Sequence, residues 1–220
     1  MRGRRDGFLW GRADGYSSGW SAGKRIFSEP VEGTSIIIPT YNQRRLLQQC
    51  IDSIRRYTPE PHEIIVVDNG SNDGTVPYLK SMAGKLRIWL SPVNLGFAGG
   101  INQGLRMARG RTLLLLNNDT VVTRGWLRNL LACLHSSDSN GLAGPMTNYI
   151  SGIQKLDTSY RTLTEMHKFA KGFNRSDPGK WVETSRIVGF CLLLKRELFR
   201  KLGYMDEGFK LGNCEDEDFA

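Results

Sequence analysis

The sequence predicts an α/β domain in which helices flank a mostly parallel β-sheet. Short, continuous apolar runs recur along the 220 residues, and such runs are typical of parallel strands, because both faces of a parallel sheet are covered. Amphipathic helical stretches separate the runs, so strand and helix alternate. Polar residues cluster directly after the last apolar residue of several runs. Together these observations predict one domain of this class.

The first two strands and their helices are predicted from the stretch that begins at TSIIIPTYNQ. Ile36 to Ile38 form the apolar centre of the first strand, and Pro39 ends it. QRRLLQQCIDSIRRY then has apolar residues at helical spacing, which predicts a helix with one apolar stripe. The stripe consists of Leu46, Leu47, Cys50, Ile51, Ile54 and Tyr57. EIIVVD predicts the second strand, and the turn-forming residues of DNGSNDGT close it before another helix begins.

The alternation continues to a fourth strand and its helix. LRIWL predicts a short third strand, and Phe97, Ile101, Leu105 and Ala108 share one face of the glycine-containing helix that follows. RTLLLL predicts the fourth strand, and a leucine-rich helix comes after it. Residues 147–182 have mixed composition and predict an insertion over the edge of the sheet. IVGFCLLL predicts a further strand, followed by a short helix.

The two ends of the chain lie outside this pattern. Residues 1–32 are rich in Gly, Arg, Ser and Trp and have neither helical nor strand period, so we expect a poorly ordered extension or linker before a domain at 33–220. The last residues, GNCEDEDFA, stop at what looks like the start of a helix. We therefore expect the domain to be truncated at its carboxyl end.

The net charge indicates which partners the protein favours, and the cysteine spacing indicates its redox setting. The net charge is +8 with basic residues scattered, which favours anionic partners such as phosphates, nucleic acid or a membrane face, and equally fits a solvated basic surface. The four separated cysteines form no C-x-x-C pair, so we expect reduced thiols in a cytosolic setting and no zinc site. No stretch approaches the roughly 20 apolar residues that span a bilayer.

The residues that follow the strands predict a site. Carboxyl ends of parallel strands meet at one edge of a sheet, and ligands of such sheets bind outside that edge. The residues at these positions are Pro39-Thr40-Tyr41-Asn42, Asp68-Asn69, Asn94 and Asn117-Asn118-Asp119.

Asp119 and Asn117 form a candidate metal site at this edge. Mg²⁺ and Mn²⁺ prefer oxygen ligands and often take one or two from protein and the rest from phosphates and water. The alternative is a turn in which Asn and Asp bond to their own backbone. Asp68 is a candidate acceptor for a nucleobase N–H or a ribose hydroxyl, or a cap for the next helix.

Two other features have both a chemical and a structural interpretation. Gly96 and the glycines after it allow backbone N–H groups to approach a diphosphate, or only allow a helix to pack tightly on the sheet. The consecutive acids Glu215 to Asp218 suit a general base in a half-buried cleft, or a solvated acidic helix start.

Five motifs, taken in order and spacing, resemble the inverting family 2 glycosyltransferases with the GT-A fold. The motifs are SIIIPTYNQ, VVDNGSNDGT, NLGFAGGINQGL, LLLNNDTVV and GFCLLLKRELFRKLGYMDEGF with the CEDEDF that follows. The resemblance covers residues 33 to 220. The chain is similar to the rhamnosyltransferase-like branch of that family, which acts in bacterial polysaccharide synthesis.

The resemblance implies roles for matching positions. Thr40, Tyr41 and Asp68 are expected to hold the nucleobase and ribose, and Asn94 and Asn102 to lie near the nucleotide or its diphosphate. Gly96 and Asn118 complete the expected nucleotide-binding set.

The resemblance also implies the metal ligands and the catalytic base. Asn117 and Asp119 match the metal-binding D-x-D element, with Asn117 in place of its first acid, so Asp119 is expected to grip the metal. Asp216 matches the catalytic base, and Glu215 is expected to support it or to hold the acceptor.

The implied function is transfer of a sugar, with inversion, from a nucleotide-diphospho-sugar to an acceptor hydroxyl. A divalent cation, Mn²⁺ or Mg²⁺, is the expected cofactor. Residues 33–146 are expected to bind the nucleotide, and residues 147–220 to form the acceptor side. The expected partners are the nucleotide-diphospho-sugar donor and a glycan or lipid-linked glycan acceptor, with no nucleic acid. We expect a cytoplasmic protein, with peripheral contact at the inner face of the cell membrane.

Three other functions compete with this prediction. A dinucleotide-dependent oxidoreductase needs G-x-G-x-x-G after its first strand, where this chain has PTYNQR. A nucleotidyltransferase usually has a glycine-rich basic loop at the same place, and this chain lacks it. A non-catalytic nucleotide-sugar-binding domain is compatible with Asn117 and with the way the chain ends.

Overall fold

The computed structural model describes residues 31–150, 152–184 and 186–209. Within these residues six strands form one sheet in the order β3-β2-β1-β4-β6-β5. The strands are β1 (Val31–Thr40), β2 (His62–Asp68), β3 (Arg87–Leu90), β4 (Gly110–Leu116), β5 (Leu142–Ala143) and β6 (Cys191–Lys195). The helices are α1 (Arg44–Tyr57), α2 (Thr75–Ser81), α3 (Gly96–Met107), α4 (Trp126–Leu134), α5 (Leu163–Phe173) and α6 (Arg196–Leu202), with short 3₁₀ turns at Pro178–Lys180 and Glu207–Phe209.

The sheet is mostly parallel, which confirms the predicted fold class. β1, β2 and β3 run parallel, whereas β6 is antiparallel to both β4 and β5. β4 runs parallel to β1, because Thr34 bonds to Thr112 in the first half of each strand, and Thr40, the last residue of β1, bonds to Asn118 just after β4. The direction of β6 could not be predicted, since a buried strand is continuously apolar in either direction.

Two apolar clusters cover the two faces of the sheet. Ile36 and Ile38 of β1 pack with α1 and α4 on one face, and Ile37 packs with α3 on the other. Most of the predicted α1 stripe is buried, but Leu46 is 39% exposed and lies outside the core. α3 lies directly on β1, since a Cβ placed on Gly104 would overlap Ile37 Cγ2. The packing interpretation of that glycine is therefore correct.

The described residues within 147–182 divide into two parts. Gln154 lies beyond the carboxyl end of β5 and the amino end of β6, where its Nε2 donates to Pro145 O at 2.9 Å and its Oε1 accepts from Val188 N–H at 2.7 Å, so this part reaches the predicted edge.

Residues 167–174 instead pack on α1 and α4. The His167 ring lies 4.6 Å from that of Tyr57 at the end of α1. Asn174 Nδ2 donates to Thr123 Oγ1 at 2.8 Å, and Asn174 O accepts from Asn129 of α4 at 2.9 Å. These hydrogen bonds fix the segment to the region around the start of α4.

Other predictions concern the ends of the chain and the membrane. β1 begins at Val31, ahead of the predicted domain boundary at residue 33, and residues 1–30 lie outside the described residues. No described helix has both the length and the apolar character that crossing a bilayer requires.

Candidate active site

A cleft of about 270 Å³ opens at the carboxyl ends of β1, β2 and β4. Its walls come from the end of each of these strands and from the start of α3. The lining residues are Pro39, Thr40, Tyr41, Gln43, Asn69, Asn94, Gly96, Phe97, Asn117, Asn118 and Asp119. The cleft therefore lies at the edge where an α/β sheet binds its ligands.

The cleft brings together most of the residues that the sequence singled out. Those that line it are Thr40, Tyr41, Asn94, Gly96, Asn117, Asn118 and Asp119. Asp68 and Asn102 are both buried and do not line the cleft. Asp216 and Glu215 lie outside the described residues. The roles of all these residues remain predictions.

The end of β1 is tied to the end of β4 by a side-chain hydrogen bond. Thr40 Oγ1 accepts from Asn118 Nδ2 at 2.8 Å and donates to Asn42 O at 3.3 Å. The Tyr41 ring that follows is 47% exposed at the cleft. Thr40 and Asn118 therefore fix each other, while the Tyr41 ring is left available for a flat partner such as a nucleobase.

Two consecutive residues with left-handed backbone turn the chain from β1 into α1. Asn42 and Gln43 both have φ of 60°, which is uncommon outside glycine. The loop after β2 holds this turn: Asn42 N–H donates to Ser71 Oγ at 2.6 Å, and Asn42 Oδ1 accepts from Asn72 N–H at 2.8 Å. Arg44 N–H, the next along, donates to Asp73 Oδ2 at 3.0 Å. The turn places Gln43 in the cleft lining.

Asp68 uses one carboxylate oxygen to shape the loop beside the cleft. Oδ2 accepts from Gly70 N–H at 3.2 Å and from Ser71 N–H at 3.1 Å. Oδ1 is buried and has no hydrogen-bond partner among the described residues. A buried acceptor without a partner is uncommon. Asp68 therefore does not cap the next helix, whose first residue, Thr75, donates its N–H to Asp73 Oδ1, and one Asp68 oxygen is left for a donor group.

Asn69 is a cleft residue that was predicted to lie at this edge of the sheet but was given no role. Its Nδ2 donates to Gly96 O at 2.8 Å, and its Oδ1 is buried without a partner in the described part of the chain. Asn94 Oδ1 accepts from Gly96 N–H at 2.9 Å. Since Gly96 N–H is thereby occupied, this group is not free to bind a diphosphate. Asn69 directly follows Asp68 at the end of β2, so its position at the sheet edge was the signal for it.

Asp119 offers an unengaged carboxylate to the cleft. Asn117 N–H donates to Phe190 O at 2.9 Å, and Asn117 O accepts from Thr120 Oγ1 at 2.8 Å, which fixes the backbone of this turn. Asp119 is exposed, and it forms no hydrogen bond or ion pair with any described residue. The turn interpretation thus explains the backbone hydrogen bonds, but the Asp119 side chain stabilises no part of the turn among the described residues.

The oxygens at this turn fit a hard divalent cation that also binds phosphate. Asp119 supplies a carboxylate and Asn117 an amide oxygen, which are ligands that Mg²⁺ and Mn²⁺ accept. Among the described residues no three His, Cys, Asp or Glu side chains group closely enough to hold a metal ion. A cation held here would therefore complete its coordination with ligand phosphates and water.

Cys50, which lies behind the Asn117–Thr120 turn, is a packing residue. Its Sγ lies 3.7 Å from Asn117 O and from Thr120 Oγ1. Burial raises the pKa of the Cys50 thiol to about 12; the hydrogen bond with Thr120 opposes this increase, and the Asp119 charge adds to it. The thiol is therefore neutral near pH 7 and is not a nucleophile.

The sheet order and the position of the cleft define an α/β domain of the GT-A type. The sequence profile of glycosyl transferase family 2 matches residues 35–203. The chain belongs to this family.

Individual relatives share part of their length with this chain. An uncharacterized glycosyltransferase of Rickettsia typhi is 28% identical over 182 residues, which cover 80% of this chain and 54% of that protein. The mannosyltransferase PcManGT from Pyrobaculum calidifontis, solved in complex with GDP-Man and Mn²⁺, superposes with a TM-score of 0.59 at 22% identity, covering 90% of this chain and 56% of that chain. TarS 1-349 of S. aureus superposes with a TM-score of 0.60 at 20% identity, covering 84% and 53%.

At these identities the solved structures are similar to this chain in fold alone. The matched regions span from 23% to 54% of the length of the curated relatives.

Proposed function

We propose that this chain is the donor-binding and catalytic domain of an inverting glycosyltransferase. The substrate is a nucleotide-diphospho-sugar, and the acceptor is a hydroxyl group of a glycan or a lipid-linked glycan. The observation that carries the proposal is the cleft, in which the ends of β1, β2 and β4 and the start of α3 present polar side chains to one space. Membership of glycosyl transferase family 2 supports it.

The donor lies along the carboxyl edge in this proposal. Thr40, Tyr41 and Asp68 hold the nucleobase and ribose, with the Tyr41 ring against a flat face and the unpartnered Asp68 Oδ1 as an acceptor. Asn94 and Asn118 border the diphosphate. Gly96 has no side chain that would block the diphosphate. Its own N–H is bonded to Asn94 Oδ1 and does not bind the ligand.

Asp119 binds the divalent cation, with Asn117 as a second oxygen ligand. When bound, Mn²⁺ or Mg²⁺ neutralises the charge that develops on the departing diphosphate. PcManGT, which shares the fold, was solved with GDP-Man and Mn²⁺, and TarS 1-349 with UDP-GlcNAc, which supports this class of donor and cofactor. Because Asn117 replaces the first acid of the D-x-D element, Asp119 carries most of the binding.

Asp216 is the general base, and Glu215 supports it or holds the acceptor. The Asp216 carboxylate takes the proton of the acceptor hydroxyl, whose oxygen attacks the anomeric carbon from the face opposite the diphosphate. The new glycosidic bond forms as the bond to the diphosphate breaks, so the configuration inverts. A rhamnosyltransferase-like activity in polysaccharide synthesis, in the cytoplasm at the membrane, completes the proposal.

The experiment that tests this function combines donor binding with turnover. A panel of nucleotide sugars is screened by thermal shift with and without Mn²⁺, and sugar transfer or slow donor hydrolysis is then measured for the donor that stabilises the protein. Asp216→Asn should lower turnover by about 10²- to 10⁴-fold and leave donor binding intact. Turnover near the wild-type rate in this variant would remove Asp216 from the role of base.

A non-catalytic nucleotide-sugar-binding domain is the second candidate, and the substitution of the first D-x-D acid by Asn117 favours it. It predicts that the wild-type protein binds a donor and never turns it over. Measured metal-dependent turnover excludes it.

A further inference from the structure

Asn102 joins α3 to a segment that lies one hundred residues further along the chain. Its side chain is 1% exposed. Nδ2 donates to Met205 O at 2.9 Å and to Glu207 Oε1 at 2.8 Å, and Oδ1 accepts from Met205 N–H at 3.0 Å. The amide thus pairs with both the N–H and the C=O of one residue, as a neighbouring strand would.

Further contacts hold residues 204–207, which we call the 204–207 segment, against α3. The Met205 side chain is buried in the apolar cluster that contains Ile101. The Arg106 guanidinium lies 4.7 Å from the centre of the Tyr204 ring and 3.9 Å from the Glu207 carboxylate. Arg106 and Glu207 are about half exposed, so this ion pair contributes little. Asn102 is the buried polar centre of the contact.

α3 reaches the cleft with its other end. Gly96 and Phe97, in its first turn, line the cleft, and Asn69 fixes Gly96 O there. The same helix therefore borders the donor site at its start and holds the 204–207 segment one and a half turns later. In the sequence, Glu215 and the predicted general base Asp216 follow Glu207 by eight and nine residues.

We propose that Asn102 is a positioning residue that ties the chain leading to the catalytic base to the helix that borders the donor. The inference rests on the proposed function. It differs from the expectation that Asn102 lies near the nucleotide, because every hydrogen-bonding atom of its side chain faces Met205 or Glu207. A displacement of about 1 Å of a catalytic group can lower a rate about 10²-fold, so we expect a loosening of this contact to lower turnover if it shifts the base.

Asn102→Asp is the most direct test, since it preserves size and replaces the donating NH₂ with an oxygen. That oxygen faces Met205 O and the Glu207 carboxylate, so the contact becomes repulsive. We expect kcat to fall about 10- to 100-fold while the donor Kd is unchanged. Hydrogen exchange at the Met205 amide should become faster. Gln103→Ala, at the neighbouring position of α3 and outside both the cleft and this contact, is the matched control and should change neither kcat nor exchange.

A second substitution tests the same contact by rescue. In Asn102→Asp/Glu207→Gln the new Gln amide can donate to the Asp carboxylate, so kcat and Met205 protection should partly recover. If Asn102→Asp does not fold, Glu207→Ala replaces it, because this exposed side chain supplies one of the three hydrogen bonds. It should lower kcat by a smaller factor, again at constant Kd.

The outcomes separate this inference from the proposed function. If the wild-type protein binds a donor and does not turn it over, the function is wrong and the inference falls with it. If the wild type is active and Asn102→Asp keeps its kcat although Met205 exchange accelerates, the inference alone is wrong. A fall in donor affinity that matches the fall in kcat would show that Asn102 acts at the nucleotide instead.

Discussion

Carboxylates at the two edges of the sheet differ in how many hydrogen bonds they form. At the amino edge, Glu63 of β2 is fully engaged: Oε1 accepts from Ser35 Oγ at 2.6 Å and from Arg109 N–H at 2.7 Å, and Oε2 accepts from Arg87 Nη1 at 2.8 Å. Ser35 Oγ also accepts from Gly110 N–H at 2.7 Å. This network connects β1, β2, β3 and the start of β4.

At the carboxyl edge, oxygens of the same chemical types are left unused. Within the described part of the chain, Asp68 Oδ1 and Asn69 Oδ1 are buried without partners, and Asp119 forms no hydrogen bond or ion pair. An oxygen that the protein already engages cannot bind a ligand without losing that bond. The contrast is between these side chains and Glu63, since Glu60 Oε2, just before β2, is also buried without a partner among the described residues. It supports the proposal that ligands bind at the carboxyl edge, and it identifies the Glu63 network as a structural contact.

The largest effect expected from this contrast is at Asp119. Asp119→Asn removes the one carboxylate among the described residues that line the cleft, so donor turnover should fall by at least about 100-fold and its dependence on Mn²⁺ should weaken. The melting temperature without ligand should not change, since the side chain is exposed. Turnover and thermal unfolding are measured on the same preparation.

Asp138→Asn, an exposed carboxylate outside the cleft, is the control for Asp119 and should leave turnover intact. Metal dependence that is unaltered in Asp119→Asn would remove Asp119 from the site.

Substitution of Glu63 at the amino edge should lower the free energy of unfolding and leave donor affinity unchanged. Burial raises the pKa of Glu63, but hydrogen bonds from Ser35, Arg87 and Arg109 N–H outweigh it, so the pKa lies below its usual value. The lowered pKa stabilises the fold fully above the usual glutamate pKa of about 4.3, and this contribution is lost as the pH falls through the folded-state pKa. Glu63→Gln should cost about 1.5 kcal/mol in free energy of unfolding at pH 7, and the difference from wild type should narrow in acid.

Urea unfolding of Glu63→Gln at several pH values measures this difference. Asp157→Asn, which breaks an exposed ion pair with Lys155, is the matched control and should have no measurable effect. If the difference in unfolding free energy between Glu63→Gln and wild type stayed constant down to the lowest pH, or if donor affinity fell, Glu63 would not have the purely structural role assigned to it.

The smallest effect is expected where α3 meets the cleft. A Cβ on Gly100 would lie 2.7 Å from Asn69 Nδ2, so Gly100→Ala should displace the Asn69 amide from Gly96 O. Donor affinity should fall by roughly fivefold, as for one weakened hydrogen bond. The measurement is the donor Kd by calorimetry.

Gly172→Ala in α5 is the matched helical substitution for Gly100→Ala, because a Cβ there has no atom within 4 Å. It should leave affinity unchanged and stabilise by about 0.5–1 kcal/mol. Equal affinities for the two variants would show that Asn69 does not shape the donor site.

Sequence pattern predicted five of the six described strands, most of the helices that cover them and the edge at which the cleft opens; it missed the two-residue strand β5 and the helix α5. These follow from local pattern: the continuous apolar runs of β1, β2 and β4 bury both faces of a sheet, and the residues directly after such runs must lie at its carboxyl edge. Seven of the nine described residues that were predicted for the site line the cleft for this reason.

Tertiary structure alone decided which polar atoms are engaged and which remain free. The left-handed pair Asn42–Gln43 is held by residues 71–73, Asn69 by Gly96, and Asn102 by Met205, so each depends on partners that are remote in sequence. The reversed direction of β6 was decided in the same way, by pairing with β4. A local pattern records which residues are polar, but the hydrogen bonds that occupy them form only when distant parts of the chain meet.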